Sequence, residues 1–442
     1  MVPRVKPIDL LIRNGTVLTV DPHGTMIENG AVAVSADRIV KVGREDALST
    51  SCRATKTIDA GGGIIMPGLV NTHTHAAMSL FRGLADDLPL TNWLNDHIFK
   101  VEARWLNPES VHAGTLLSCA EMLLSGTTTF CDGYFFEDAV AEAVQESGMR
   151  AILGQGIVDF PSPGVPDPKE NVAEAARFIE KWNEKTSLVI PGLFCHSPYT
   201  CSEKTLKDAR RVADAAGSLF QIHVAETQGE VKEIEQRHGV SPVQYLDRIG
   251  ILNARTLAVH AIWVDEADIE CMAGHGVGVS VTTESEMKLA SGVAPIPEFL
   301  KKGLAVGIGT DGCASNNNLD MLQEMDMTAK LHKLKTLDPA VLDARQVLAL
   351  ATRRGADAIG LGGQIGSIEV GKKADLIIID TRKPHLTPLY DPVSHLVYAA
   401  GGSDVRDVII DGRLVVHDRA LLTINIEPVF EFVSDLARRI AS

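Results

Sequence analysis

Residues 65–75 read Ile65-Met66-Pro67-Gly68-Leu69-Val70-Asn71-Thr72-His73-Thr74-His75. An apolar run ends in two histidines one residue apart. Positions i and i+2 of a β-strand face the same side. His73 and His75 are therefore expected to project together from the C-terminal end of a buried strand. Two imidazoles on one face can share a metal ion; two polar residues in a loop are the plainer alternative, and the rest of the chain decides between them.

Outward from this stretch, apolar runs alternate with helical ones. Eight strands are predicted, at 64–70, 127–133, 150–158, 187–195, 218–225, 256–263, 276–283 and 304–310. Amphipathic helices are expected between most of them, for example at 108–125, 170–185, 202–216 and 318–334. Continuous apolar strands alternating with helices argue for a parallel sheet buried on both faces. Eight such units argue for a (β/α)8 TIM-like barrel in an α/β chain. The span, about 300 residues, exceeds the usual ~250 and leaves room for an insertion. That insertion is expected at 76–106, where Met78, Leu80, Phe81, Leu84, Trp93 and Leu94 surround an acidic Ala85-Asp86-Asp87 turn.

Both ends of the chain read differently. Residues 8–20 are β-branched with a turn at Asn14-Gly15, and 31–43 hold two short strands around Ala36-Asp37. Leu376-Ile377-Ile378-Ile379-Asp380 and the segment 405–416 form a matching set. Neither set is a core by itself. The expected organisation is a small β-sandwich domain built from both termini, residues 1–64 and 364–442, with a catalytic barrel of residues 65–363 between them.

Composition narrows the function. The chain has 442 residues, 45% of them hydrophobic, and 42 Lys+Arg against 57 Asp+Glu for a net charge of −15. An acidic surface disfavours nucleic-acid polymers and anionic membranes as partners, but not a small nucleobase. The 7 cysteines are odd in number and form no C-x-x-C, which fits reduced thiols and a cytoplasmic location. No apolar h-region follows Met1 and no run of 18 apolar residues occurs, so neither a signal peptide nor a membrane span is read.

In a barrel the strand C-termini line one mouth. Strand one ends on His73 and His75, strand four on Cys195-His196-Ser197-Pro198, strand five on His223-Val224-Ala225-Glu226, strand six on His260, and strand eight on Gly309-Thr310-Asp311-Gly312. Neutral imidazoles with a carboxylate suit Zn²⁺ or a similar borderline ion. Any one of these histidines has a plain reading as a hydrogen-bonded core residue, but coincidence at five equivalent places argues against it. Histidines elsewhere, such as His97, His238 and His275, are read as surface or core.

These residues resemble the amidohydrolase superfamily: 67–75, then His196-Ser197-Pro198-Tyr199, His223-Val224-Ala225-Glu226-Thr227, His260 and Gly309-Thr310-Asp311-Gly312, with the tail Gly366 to Asp380. Within it the chain is similar to the 5-methylthioadenosine/S-adenosylhomocysteine deaminase group. By position, the resemblance implies one Zn²⁺ per subunit, held by His73, His75, His223 and Asp311. It implies Glu226 as proton shuttle, His260 as stabiliser of developing charge and Asp311 as a further catalytic group. Glu102 and His196 would contact substrate, together with Glu226 and Asp311. The expected reaction is hydrolytic deamination of adenosine, 5-methylthioadenosine or S-adenosylhomocysteine to the inosine analogue and ammonia. A homodimer is expected by analogy.

Two segments depart from the group's pattern. Where arginines are usual, the chain reads Gln155-Gly156-Ile157-Val158-Asp159, with Arg150 earlier on the strand. Strand seven ends Ser280-Val281-Thr282-Thr283-Glu284 in place of a Ser-His-Asn-Pro type. Both segments are expected to face substrate. The alternatives are therefore a hydrolase of another ring (guanine, a pterin or a triazine) and, in another class, an inactive barrel scaffold. Editing of polynucleotides is disfavoured, because the H-x-E…P-C-x-x-C signature is absent.

Overall fold

A computed structural model describes residues 6–442. Five strands precede the barrel: β1 (Lys6–Leu18), β2 (Met26–Ser35), β3 (Arg38–Arg44), β4 (Cys52–Asp59) and β5 (Ile64–Pro67). The barrel strands are β6 (Leu69–Thr74), β7 (Thr127–Tyr134), β8 (Arg150–Ile157), β9 (Val189–Cys195), β10 (Phe220–Val224), β11 (Thr256–His260), β12 (Gly278–Val281) and β13 (Ala305–Ile308). After them come β14 (Leu376–Ile379), β15 (Val405–Ile410), β16 (Arg413–His417) and β17 (Ala420–Leu421).

The eight strands β6 to β13 form one parallel sheet in chain order. Across the seam between its first and last strands, the Asp311 N–H donates to the His73 carbonyl at 3.0 Å. Asn71 bridges the same seam: its amide donates to Thr310 Oγ1 at 2.8 Å and its carbonyl accepts from the Thr310 N–H at 3.1 Å. The helices lie where the apolar period puts them, at Pro108–Leu124, Asn171–Trp182, Glu203–Ala216 and Met321–Thr336. Asn107, Ser202 and Asp320 cap three of these by accepting from first-turn N–H groups.

One expected strand divides. The apolar run 64–70 is two strands, not one: β5 pairs with β1 and β14 in the outer sheet, and β6 opens the barrel. Gly68 joins them. A Cβ there would lie 2.1 Å from Thr128 Oγ1, so only glycine lets the chain pass this close to β7. Asn14-Gly15 is likewise not a turn. β1 continues through it, with Asn14 at φ 58 and a register shift between Ile12 and Gly15, which is a bulge.

The two termini build one mixed nine-stranded sheet, in the order β17-β16-β15-β14-β5-β1-β2-β3 with β4 on β1. The sheet folds back over its own core: Arg38 bridges to Lys373, and Leu10, Val32, Ile39, Ile58, Ile65, Leu376 and Ile409 share one cluster. Alternate residues face the other way. Ile64, Met66, Ile377, Ile379, Val408 and Ile410 pack into the barrel's core, the period of two expected of strands buried on both faces. Among the described residues, no helix is long and apolar enough to cross a membrane, and all seven cysteines are free thiols.

Arg150 joins the two sheets. It is the first residue of β8, at the rim opposite the histidines. Its guanidinium donates to both Asp375 oxygens at 2.8 and 3.1 Å, to Asp411 at 2.9 Å and to the Ser187 carbonyl at 2.6 Å. Removing one side of a buried charge network strands the other. Arg150→Met is expected to lower unfolding stability by about 3–5 kcal/mol in urea titration, with the strand-end histidine cluster unaffected.

Candidate functional site

The strand C-termini converge as the barrel requires. His73 lies on β6 with His75 directly after it, and His223 lies on β10. One ligand atom from each of the three lies within 4.8 Å of the other two. The Nε2 atoms of His73 and His223 are 3.2 Å apart. Asp311, after β13, brings Oδ1 to 3.7 Å from His73 Nε2 and 3.4 Å from His75 Nε2. Burial, reinforced by the neighbouring imidazoles, holds His73 and His223 well below the ordinary histidine range, so both are neutral. The His75 Nδ1 faces the Gly133 carbonyl at 2.6 Å, which fixes its proton there and turns the Nε2 lone pair toward the cluster. Three imidazole lone pairs and a carboxylate aimed at one point are a donor set that fits a borderline divalent cation.

Asp311 is fixed from outside. Ser285 and Ser315 donate to its Oδ2 at 2.7 and 2.8 Å, leaving Oδ1 toward the histidines. Burial would raise its pKa, but His75, His73, His260 and Ser285 bring it down to about 2, so the group is ionised. Its backbone is left-handed, with φ 59; so are those of Ala225 (φ 52) and His260 (φ 70). Non-glycine residues seldom adopt this conformation, and three of them sit at the mouth of one barrel.

Glu226 and His260 form a pair beside the cluster, with Oε2 and Nε2 3.8 Å apart. Burial raises the Glu226 pKa, His260 opposes it, and Asp311 and Glu286 add to it. For His260, burial works against the charge, but Glu226, Glu286 and Asp311 outweigh it and hold the pKa at about 9. Its Nδ1 lies 3.0 Å from Thr282 Oγ1 and 3.5 Å from Glu286 Oε1.

A pocket opens over these groups. His75, Glu102, His196, His223, Glu226, His260 and Asp311 all line it, and the fully buried His73 lies behind them. Its apolar wall comes from the segment 76–106: Met78, Leu90, Trp93, Leu94 and Phe99 line it, whereas Leu84 faces solvent. Glu102 is buried in that wall, where desolvation lifts its pKa to about 7 and the Tyr134 hydroxyl, donating to Oε1, offsets part of the rise. Burial, with His75 and His260 adding to it, keeps His196 neutral, at about 4, and its Nδ1 lies 3.0 Å from Thr200 Oγ1.

The first divergent segment faces the pocket in part, as expected, and the second lies mostly behind it. Of the first, Gly156, Ile157 and Val158 line the pocket, but Gln155 is buried and accepts from the Glu137 N–H. Of the second, Leu289 reaches the pocket, while Thr282 and Ser285 face His260 and Asp311. The strand-seven sequence thus supports the chemical groups and leaves recognition to others.

Sequence reading missed these supports. It also missed a repeated device: a buried glutamate just past a strand end that accepts that end's backbone N–H groups. Glu230 accepts from Ala225 and Glu226, each at 2.8 Å; Glu286 accepts from Thr282 at 3.1 Å; Glu137 accepts from Tyr134 at 2.9 Å. Burial, despite the two N–H donors, raises Glu230 to about 8. A glutamate three to five residues beyond the strand-end N–H groups it accepts is the signal that would have found them.

The comparisons with known proteins agree with this geometry. The amidohydrolase family model matches residues 64–415. A protein of Syntrophobacter fumaroxidans described as 5-methylthioadenosine/S-adenosylhomocysteine deaminase is 50% identical over 432 residues, 98% of each chain. A 5'-deoxyadenosine deaminase of Methanosarcina mazei is 44% identical over 435 residues, 98% of this chain and 99% of its own. The crystal structure of an adenosine deaminase from Xanthomonas campestris with bound zinc superposes with a TM-score of 0.97 at 39% identity, covering 99% of both chains. Metal content separates a metal cluster from a packed histidine core: wild-type protein should retain a tightly held divalent metal through gel filtration, and His223→Ala should lose most of it by elemental analysis.

Proposed function

The chain belongs to the amidohydrolase family, and on that premise we propose that it is a zinc-dependent aminohydrolase. It converts an adenosine-like nucleoside (5-methylthioadenosine, S-adenosylhomocysteine, 5'-deoxyadenosine or adenosine) and water to the inosine analogue and ammonia. The carrying observation is the meeting of the His73 and His223 Nε2 atoms at 3.2 Å beside an ionised Asp311, in a pocket that also holds the Glu226 carboxyl.

His73, His75, His223 and Asp311 would hold the ion. Zn²⁺ bound there supplies Lewis acidity that makes a water able to lose its proton near neutral pH. The remaining work falls to the chain. Glu226, its proton affinity raised by burial, takes that proton and gives it to the ring nitrogen, then carries a second proton, from the hydroxyl added to the amidine carbon, to the amine as the C–N bond breaks and ammonia leaves. The clamp of Glu230 on the backbone of residues 225 and 226 holds the carboxyl in place for both transfers. His260, kept protonated by its acidic neighbours, donates to the oxygen that gains charge as water adds to the amidine carbon. Ser285 and Ser315 on Oδ2 and the Gly312 N–H on Oδ1 hold the Asp311 carboxylate in place beside the histidines.

Recognition uses the opposite wall. Glu102, with a pKa near the working pH, can accept a hydrogen bond or give one to a nucleoside hydroxyl or ring nitrogen. His196 offers its free ring nitrogen, and Leu90, Leu94, Trp93 and Phe99 provide an apolar surface for the purine face or a thioether.

An ammonia-release assay with adenosine, 5'-deoxyadenosine, 5-methylthioadenosine, S-adenosylhomocysteine and guanine tests the proposal. Turnover of at least one adenosine compound is expected; ammonia from none of them overturns it. Glu226→Gln should keep its metal while kcat falls about 10²- to 10⁴-fold, the usual contribution of a positioned acid–base group.

A further inference from the structure

On the outer surface of the barrel, the helix Pro242–Arg248 packs beside the helix Glu266–His275. Cys271 and His275 are one turn apart on the second helix and share a face. Asp247 faces them from the first. His275 Nε2 lies 2.7 Å from Asp247 Oδ1, and the Cys271 sulfur, a His275 ring nitrogen and an Asp247 oxygen all lie within 4.8 Å of one another. Donors held at about 2.0–2.3 Å from a common ion are separated by roughly 3.3–3.8 Å, a spacing this trio reaches by small side-chain adjustments.

We propose that Asp247, Cys271 and His275 form a second, surface site for a divalent transition-metal ion such as Zn²⁺. A thiolate, an imidazole and a carboxylate are the protein donors zinc takes, and the exposed side leaves room for a water as fourth ligand. The local charge favours a cation. Burial, with Asp247 and Asp268, pushes the Cys271 thiol up to about 11, so an ion must displace its proton on binding, and among the described residues the ion-pair partner of Asp247 is the histidine itself. Another group of acidic and imidazole side chains, Asp407, His417 and Asp418, differs in both respects. It has no sulfur, and Arg406 already neutralises it at 2.6 Å from Asp407. An ion at the Asp247 site would tie together helices that follow β10 and β11, the strands that carry His223 and His260.

Cobalt distinguishes this site from the pocket. The pocket's proposed ligands include no thiol, so thiolate-to-cobalt charge-transfer absorption in the near ultraviolet reports the surface site alone. Titrating the full-length protein with Co²⁺ should give such a band, saturating at one ion per chain. Cys271→Ser should abolish it, and His275→Ala should weaken binding by about tenfold or more. Both variants should keep wild-type ammonia release, showing that they fold and that the pocket is intact. Absence of the band in wild-type protein, or its persistence in Cys271→Ser, would overturn the proposal and leave His275 and Asp247 as a simple ion pair between helices.

Discussion

Lone pairs that face one another in a dry interior repel, and this chain brings several to a single point. The His73 and His223 nitrogens, the His75 nitrogen turned inward by the Gly133 carbonyl, and the Asp311 carboxylate all converge there. A cation at that point would satisfy all of these donors at once. The architecture serves that point. Parallel strands deliver the groups at one rim, left-handed residues at three strand ends bend the chain to aim them, and the seam between β6 and β13 is closed by Asn71 and Thr310, close in sequence to His73 and Asp311.

Much of this was legible in the sequence because it rests on short-range rules. The period of two at His73 and His75, the apolar strands and the polar strand ends all report local geometry, and they suffice for the barrel and for which residues meet. What the sequence hid depends on contacts between distant segments. The run 64–70 carries no mark of its division, because Ile64–Pro67 and Leu69–Thr74 are both fully buried and only the closeness of Thr128 to Gly68 separates them. Asn14-Gly15 has the composition of a hairpin turn and serves as a bulge, since β4 and β5 extend β1 on both sides of it.

The site shows the same division. Residues that carry charge into the pocket were found by reading strand ends. Those that orient them were not, because Ser285, Ser315 and Thr282 look like any hydroxyl residues until Asp311 and His260 are seen beside them. Tyr134 went unread because its strand ends on no histidine, and only the folded chain sets it against Glu102, 32 residues away. Gln155 failed in the opposite sense. It opens a stretch expected to face substrate and instead braces Glu137, while Arg150, noted only as an arginine earlier on that strand, fastens the barrel to the outer sheet.

The buried glutamates beneath the strand ends have a consequence for how such a barrel can change. Glu230, Glu286 and Glu137 grip the backbone from the scaffold side, by main-chain N–H groups that any residue type provides. The strand-end side chains Glu226 and Thr282 therefore do not lean on the pocket's far wall for their backbone positions. That wall, contributed mostly by one excursion of the chain between β6 and the next helix, can be rewritten residue by residue while the reactive apparatus stays in register. Ligand preference and reactivity are in this sense separately inherited parts of one molecule, free to diverge at different speeds.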